Sequence, residues 1–197
     1  MKVMNLLNWE FSEGLIKSDK TTRITSSEND LVNSKVFYED LTKHDAKLII
    51  GKFCSISTRV SFFLGGNHNI KRISTWLPDP DMKYDETGNL LTKGDIIVEN
   101  DVWIGMNVMI MSGVKIGSGS VIGAGAVVSQ DIQPYSIVVG NPARVIKKRF
   151  TDEQIDILLK SEWWNWDFSI IQENSEIIFG ESFEKFEELT KIYEIDK

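Results

Sequence analysis

The sequence predicts an all-β solenoid of stacked parallel coils, with a long inserted loop and C-terminal α-helices. Three observations lead there. Apolar residues recur every six positions from Val98 to Ile132. That recurrence is absent for over thirty residues after Phe62. Beyond Phe150 the composition turns strongly acidic and the apolar spacing becomes helical.

The repeat comes first. One residue per hexad runs Val98, Ile104, Ile110, Ile116, Ile122, Val128. Four places on come Val102, Val108, Val114, Ser120, Ala126, Ile132. The same frame appears earlier as Ile50, Ile56 and Phe62, with Cys54 and Val60 at the plus-four places. A helix repeats about every 3.6 residues and a strand about every two, so neither alone explains a period of six. Three hexads can close a triangular coil of about eighteen residues, with large aliphatics on the axis. One coil cannot bury its own face, so stacked coils stabilise each other. Gly51, Gly105, Gly117 and Gly123 follow the reference residues, and they are expected to ease tight corners. A β-sandwich of unrelated strands would not keep six hexads in register.

The interruption comes next. The arm, about residues 64–95, holds Gly65-Gly66, Asn67-His68-Asn69 and Trp76-Leu77-Pro78. A loop of that length in a compact fold is usually functional or disordered. The chain has two histidines. His44 leads into a coil and reads as structural. His68 stands where the solenoid releases the chain, equally suited to a catalytic role or a structural one. Cys54 falls in the inward-facing frame and reads as a core residue, not a nucleophile.

After Ile132, Pro134 and Pro142 are expected to end the regular stack. Arg144, Lys147, Lys148 and Arg149 then place four bases within six residues. Such a cluster suits a phosphorylated cofactor, or a solvated collar that balances the acidic tail. A boundary near Phe150 separates residues 1–150, the solenoid with its arm, from a helical extension, 151–197. Thr151 is a fair N-cap with Gln154 at the capping-box position. Ile155, Leu158 and Leu159 form an apolar face. Trp163, Trp164 and Trp166 are expected to pack this helix on the solenoid end or on a neighbouring subunit. Helices are expected over about 169–178 and 182–193.

Composition narrows the function. The chain has 197 residues and a net charge of −7. Residues 151–197 carry thirteen acids and four lysines, so the first 150 residues are slightly basic. That balance argues against a general nucleic-acid binder. No apolar run is long enough for a membrane helix. The N-terminus is a poor signal peptide, and a single cysteine suits a cytoplasmic protein. No HExxH, CxxC or GxxxxGK[ST] pattern occurs, so no metal is expected. The glycines of "IGSGSVIGAG" stay in the six-residue frame and do not form a nucleotide loop.

Four stretches carry a resemblance: "IIGKFCSI", "GGNHNIKRIST", "NDVWIGMNVMIMSGVKIGSGSVIGAGAVV" and "PYSIVVGNPARVIKKRF". With the tail "ILLKSEWWNWDF", they make the chain resemble the hexapeptide-repeat acyltransferases with a left-handed parallel β-helix. More narrowly it is similar to the xenobiotic acetyltransferase branch, which includes streptogramin and type-B chloramphenicol acetyltransferases. The resemblance implies acetyl-CoA as cosubstrate, a homotrimer with active sites between subunits, and a small-molecule acceptor. It implies His68 as catalytic base. It places Trp103, Gly123, Ala124, Asn141, Pro142, Arg144, Lys147 and Lys148 at the cofactor. It assigns Tyr38, Asn67 and Trp76 to the acceptor pocket. The arm departs from the antibiotic branch at Ser74-Thr75-Trp76-Leu77-Pro78-Asp79. A carbohydrate hydroxyl, or the amine of an amino sugar, therefore stands beside an antibiotic as acceptor. A non-catalytic β-helix scaffold is the reading from another class.

Overall fold

A computed structural model describes residues 2–5, 16–17, 23–24, 35–38, 46–75 and 90–193. The chain divides into two compact units, Met1–Lys147 and Lys148–Lys197.

The first unit is built from very short strands. They are β1 (Lys2–Asn5), β2 (Ile16–Lys17), β3 (Arg23–Ile24), β4 (Lys35–Tyr38), β5 (Leu48–Ile50), β6 (Ser55–Ile56) and β7 (Ser61–Phe63). A separate pair follows, β8 (Asn67–His68) and β9 (Leu90–Leu91). Then come β10 (Ile96–Val98), β11 (Trp103–Ile104), β12 (Met109–Met111), β13 (Lys115–Ile116), β14 (Val121–Ile122), β15 (Val127–Val128), β16 (Ser136–Val139) and β17 (Arg144–Lys148).

From β1 to β7 and from β10 to β15, consecutive strands fall in successive sheets. One sheet is ordered β13-β10-β5-β2, the second β17-β16-β14-β11-β6-β3, and the third β1-β4-β7-β12-β15. From β10 to β15 the parallel registers are Ile97↔Lys115, Trp103↔Val121 and Met109↔Val127, eighteen residues each time. Three hexads therefore separate each strand from the one stacked on it. Across β5–β7 to β10–β12 the offset grows to forty-eight, as in Ile49↔Ile97 and Ser61↔Met109. The extra thirty residues lie between β7 and β10.

The core follows the frame. All six reference residues from Val98 to Val128 are buried, and so are the six at plus-four. Ile50, Ile56, Phe62, Cys54 and Val60 extend the same column. The corners have a common geometry. Phe53, Arg59, Asp101, Asn107, Gly113, Gly119 and Gly125 all have φ between 56° and 75°. Each lies three places after a reference residue, so one left-handed residue turns each of these seven corners.

Two expectations change here. The glycines just after the reference residues do not have positive φ. They are required by close approach between coils. A Cβ on Gly105 would lie 2.7 Å from the Ala124 nitrogen, and one on Gly117 would lie 2.5 Å from the Pro134 nitrogen. Nor does the stack end at Pro134. β16 still pairs in parallel with β14, through Val121↔Ile137. The last coil is two residues shorter, with Ile116 opposite Ile132. The missing Cβ of Gly117 makes room for the proline.

The second unit is helical. It contains α1 (Asp152–Ser161), a 3₁₀ turn at Trp163–Asn165, α2 (Phe168–Glu173), α3 (Ser175–Ile178) and α4 (Phe183–Tyr193). Thr151 caps α1 in a complete capping box with Gln154. The helix expected over about 169–178 is broken at Asn174, whose side chain donates to the Ile170 carbonyl at 2.9 Å. The tryptophans find partners inside this unit. Trp163 meets Trp164 and Phe179 edge-on, and Trp166 stacks on Phe186. Among the described residues no helix is long and apolar enough to cross a membrane.

Candidate active site

The excursion after β7 is fastened to the stack on both sides. Leu64 is buried, and Gly66 turns the chain at φ 88°. β8 and β9 then pair antiparallel, Asn67 with Leu91 and His68 with Leu90. The Asn67 side-chain amide donates to the Ser112 hydroxyl at 3.1 Å. On the returning leg the Lys93 N–H donates to the same oxygen at 3.2 Å. The Thr92 hydroxyl crosses between the legs and donates to the Leu64 carbonyl.

His68 is exposed at this point. Its Nδ1 lies 3.0 Å from the Thr75 carbonyl oxygen. A carbonyl can only accept, so in the neutral ring Nδ1 carries the hydrogen. Nε2 is then left with a lone pair, the form a general base requires. A short turn brings Thr75 back: the Asn69 side chain accepts from the Lys71 N–H at 3.0 Å.

The expected cofactor residues gather elsewhere, along the six-stranded sheet. Trp103 is 57% exposed on β11, a large apolar side chain more than half open to solvent. Its ladder runs from Ser55 through Trp103 to Val121 and Ile137. Gly123 and Ala124 follow β14 on the same sheet. A Cβ on Gly123 would meet Val139 at 2.8 Å, so its absence lets β16 close in. Asn141 and Pro142 are exposed in the next turn and joined by a cis peptide. The Ala143 N–H donates to the Val127 carbonyl at 2.9 Å, which ties the turn to β15. Arg144 and Lys147 are exposed and form no ion pair among the described residues. Lys148 is paired with Asp152.

Trp103 and Arg144 thus lie on strands of the six-stranded sheet, and Gly123, Ala124, Asn141 and Pro142 in the turns that leave β14 and β16, as one strip of sequence positions along that sheet. His68 stands beyond β7, on a different sheet. The structure describes Tyr38 only as backbone, opposite Lys2 in the β1–β4 pair. Trp76 and His44 lie outside the described residues. Cys54 is buried as expected, and its thiol donates to the Glu99 carbonyl at 3.0 Å. Among the described residues no three His, Cys, Asp or Glu side chains converge as a metal site. Two participants were missed in the sequence. The Thr75 carbonyl carries no side-chain signal. Ser112 had one, since it shares its place in the hexad with the polar Ser118.

Comparison with known proteins identifies the architecture. Residues 95–130 match the family described as bacterial transferase hexapeptide (six repeats). A probable macrolide acetyltransferase of Lysinibacillus sphaericus is 44% identical over 161 residues, covering 74% of this chain and 87% of that one. The chain belongs to the hexapeptide-repeat acetyltransferases. A virginiamycin A acetyltransferase of Staphylococcus aureus is 46% identical over 156 residues, 74% of this hexapeptide-repeat acetyltransferase and 69% of the relative. A solved hexapeptide-repeat acetyltransferase of Vibrio cholerae O1 biovar eltor, complexed with acetyl coenzyme A, superposes with a TM-score of 0.51 at 29% identity. That match covers 69% of this acetyltransferase and 61% of the solved chain.

Proposed function

We propose that this chain transfers acetyl from acetyl-CoA to a hydroxyl of a small acceptor, with His68 as general base. The acceptor class is an antibiotic of the streptogramin or chloramphenicol kind, or a carbohydrate. The relatives named for virginiamycin A and macrolides favour the antibiotic. The observation that carries the reading is the His68–Thr75 contact at 3.0 Å, which in the neutral ring puts the hydrogen on Nδ1 and the lone pair on Nε2 of an exposed side chain.

The residues present suit acetyl-CoA. Trp103 offers a large exposed apolar face. Arg144 and Lys147 offer exposed positive charge for phosphates. Lys148 is partly neutralised by Asp152 and contributes less. Gly123 and Ala124 keep the surface of the strip low, and Asn141 and Pro142 shape its end. Tyr38 and Trp76 remain assigned to the acceptor pocket.

When bound, acetyl-CoA supplies a thioester carbonyl open to attack. His68 Nε2 takes the proton of the acceptor hydroxyl as its oxygen forms a bond to that carbonyl carbon. The carbon–sulfur bond breaks, and the imidazolium returns the proton to the departing sulfur. Holding base, acceptor and thioester together supplies much of the rate.

His68 and the cofactor strip lie on different sheets of one chain. That separation supports a homotrimer in which one subunit's His68 faces the strip of its neighbour. The eighteen-residue register supports a left-handed parallel β-helix with an arm over about 64–95. We assign the enzyme to the cytoplasm. A sedimentation mass matching one 22.4 kDa chain would contradict the trimer.

The test is an acceptor screen with labelled acetyl-CoA over streptogramin A, chloramphenicol, a macrolide, amino sugars and simple glycosides. With the best acceptor, His68→Ala is expected to lower kcat by about 10²- to 10⁴-fold. CoA binding by calorimetry is expected to persist. Wild-type turnover in His68→Ala would remove the base from its role. Absence of CoA binding by the wild type would favour a scaffold.

A further inference from the structure

We propose that Asn67 and Ser112 form a positioning pair that fixes which way His68 faces. This assigns Asn67 to holding the arm, and not to contacting the acceptor. It rests on the reading of His68 as the base.

The argument begins with strand geometry. Successive side chains of a strand point to opposite sides. β8 is only two residues long, so its facing is weakly specified by its own pairing. Asn67 supplies the missing constraint. Its amide reaches the hydroxyl of Ser112, just past β12. With Asn67 held toward the stack, His68 must face the other way.

Ser112 is suited to the task. It is 4% exposed, in a turn anchored by the coils beneath it. Its oxygen accepts from Asn67 on the outgoing leg and from the Lys93 N–H on the returning leg. One buried hydroxyl therefore sets the separation of both legs. The neighbouring Gly113 N–H donates to the Gly94 carbonyl at 3.0 Å, which fixes the returning leg again. Thr92 closes the base through Leu64 and Gly94. Among the described residues, the ring itself is held by the Thr75 carbonyl at Nδ1. That contact selects the tautomer only if the ring is already turned toward it. Releasing Asn67 frees the strand to rotate and weakens that contact.

Two measurements test the pair. In Asn67→Ala and Ser112→Ala, kcat is expected to fall about ten- to a hundredfold, with KM for acetyl-CoA unchanged. Ser112→Thr, which restores the hydroxyl, is expected to recover turnover. Asn67 is exposed, so its variant also guards against a failure of Ser112→Ala to fold. The second measurement is ¹⁵N NMR of the imidazoles. The chain has two histidines, and the spectrum of His68→Ala assigns the other. Wild-type His68 is expected as the Nδ1–H form, and both alanine variants are expected to shift toward the mixture of a free imidazole. Unchanged tautomers in both variants overturn the inference, whatever the turnover. If His68→Ala is inactive, turnover within about twofold of wild type in both alanine variants also overturns it. If His68→Ala is fully active, the base assignment fails separately, and the tautomers alone decide for or against the pair.

Discussion

Gly105 follows Ile104 on β11, directly below the corner that carries Ala124. The sequence marks it as one of a recurring set, and the residue type was legible. Its reason was not, because a glycine serves either a positive φ or a close approach. The structure separates the two roles. Left-handed corners are carried three places after a reference residue, by Asn107 and Asp101 as well as by glycines. Gly105 instead lies against the next coil, where a Cβ would meet the Ala124 nitrogen at 2.7 Å and the Ile122 carbonyl oxygen at 3.0 Å. Both are backbone atoms in a hydrogen-bonded ladder, with Gly105 N–H donating to that carbonyl at 2.8 Å. Neither can yield without parting the coils. Gly105→Ala is therefore expected to destabilise the first unit by about 1–3 kcal/mol, read from the denaturant midpoint. Unchanged stability would mean that the coils are less closely stacked at Gly105. The thiol of Cys54 shows the opposite case. Its inward place in the hexad was enough to expect burial, because the frame fixes direction wherever it is unbroken.

At the scale of elements, legibility followed periodicity. The hexads located the strands of the stack, and the capping-box pattern located the start of α1. Thr151 accepts from the Gln154 N–H at 3.3 Å, and Gln154 returns a bond to the Thr151 N–H at 3.1 Å. Thr151→Ala removes the first of these and leaves a helix-terminal donor to water. We expect a loss of about 1 kcal/mol, visible as an earlier thermal loss of helical circular dichroism. An unaltered melt would mean that α1 is held by its Ile155 and Leu158 packing alone. Elsewhere a local bond overrode the pattern. Asn174 breaks a run whose spacing reads as one helix, because its side chain bonds back to the preceding turn. The β8–β9 pair had no periodic signal, being two residues on each side. Its position depends on Ser112, which is distant in sequence from both strands, and on Thr92, which follows β9 and bonds back to Leu64 ahead of β8. The expected base was visible as a histidine in a long insertion. The carbonyl that orients it was not, since any residue type could supply one.

Across the whole stack, coils meet mainly through backbone ladders and a buried aliphatic column. Neither depends on pH. Among the described residues, the ion pair of Glu99 with Lys115 is a link between coils that does. Glu99 leaves β10 beside the coil above, where one carboxylate oxygen is 2.7 Å from Lys115 Nζ. The other accepts from the Ser118 N–H at 2.9 Å and from its hydroxyl at 3.1 Å. Partial burial pushes the Glu99 carboxyl up. The bonds to Lys115 and Ser118 outweigh that and hold it below its ordinary value of 4.5. Glu99 in turn raises Lys115 above its ordinary 10.5. A carboxyl lowered on folding binds fewer protons in the native chain than in the unfolded one. Its stabilisation is complete above the unfolded value and disappears as pH falls through the lower, folded one. The raised lysine adds stability below 10.5 that is lost as pH climbs past its folded value. Glu99→Gln should therefore be less stable than wild type by a nearly constant amount between about pH 6 and pH 9. For a partly exposed pair that amount is on the order of 1 kcal/mol. Below 4.5 the difference should shrink toward zero as Glu99 is protonated in both states. Urea unfolding of the two chains across that range provides the measurement. A difference that grows on acidification would show that protonated Glu99 still holds the coils together, and that the ion pair with Lys115 is not what stabilises their contact.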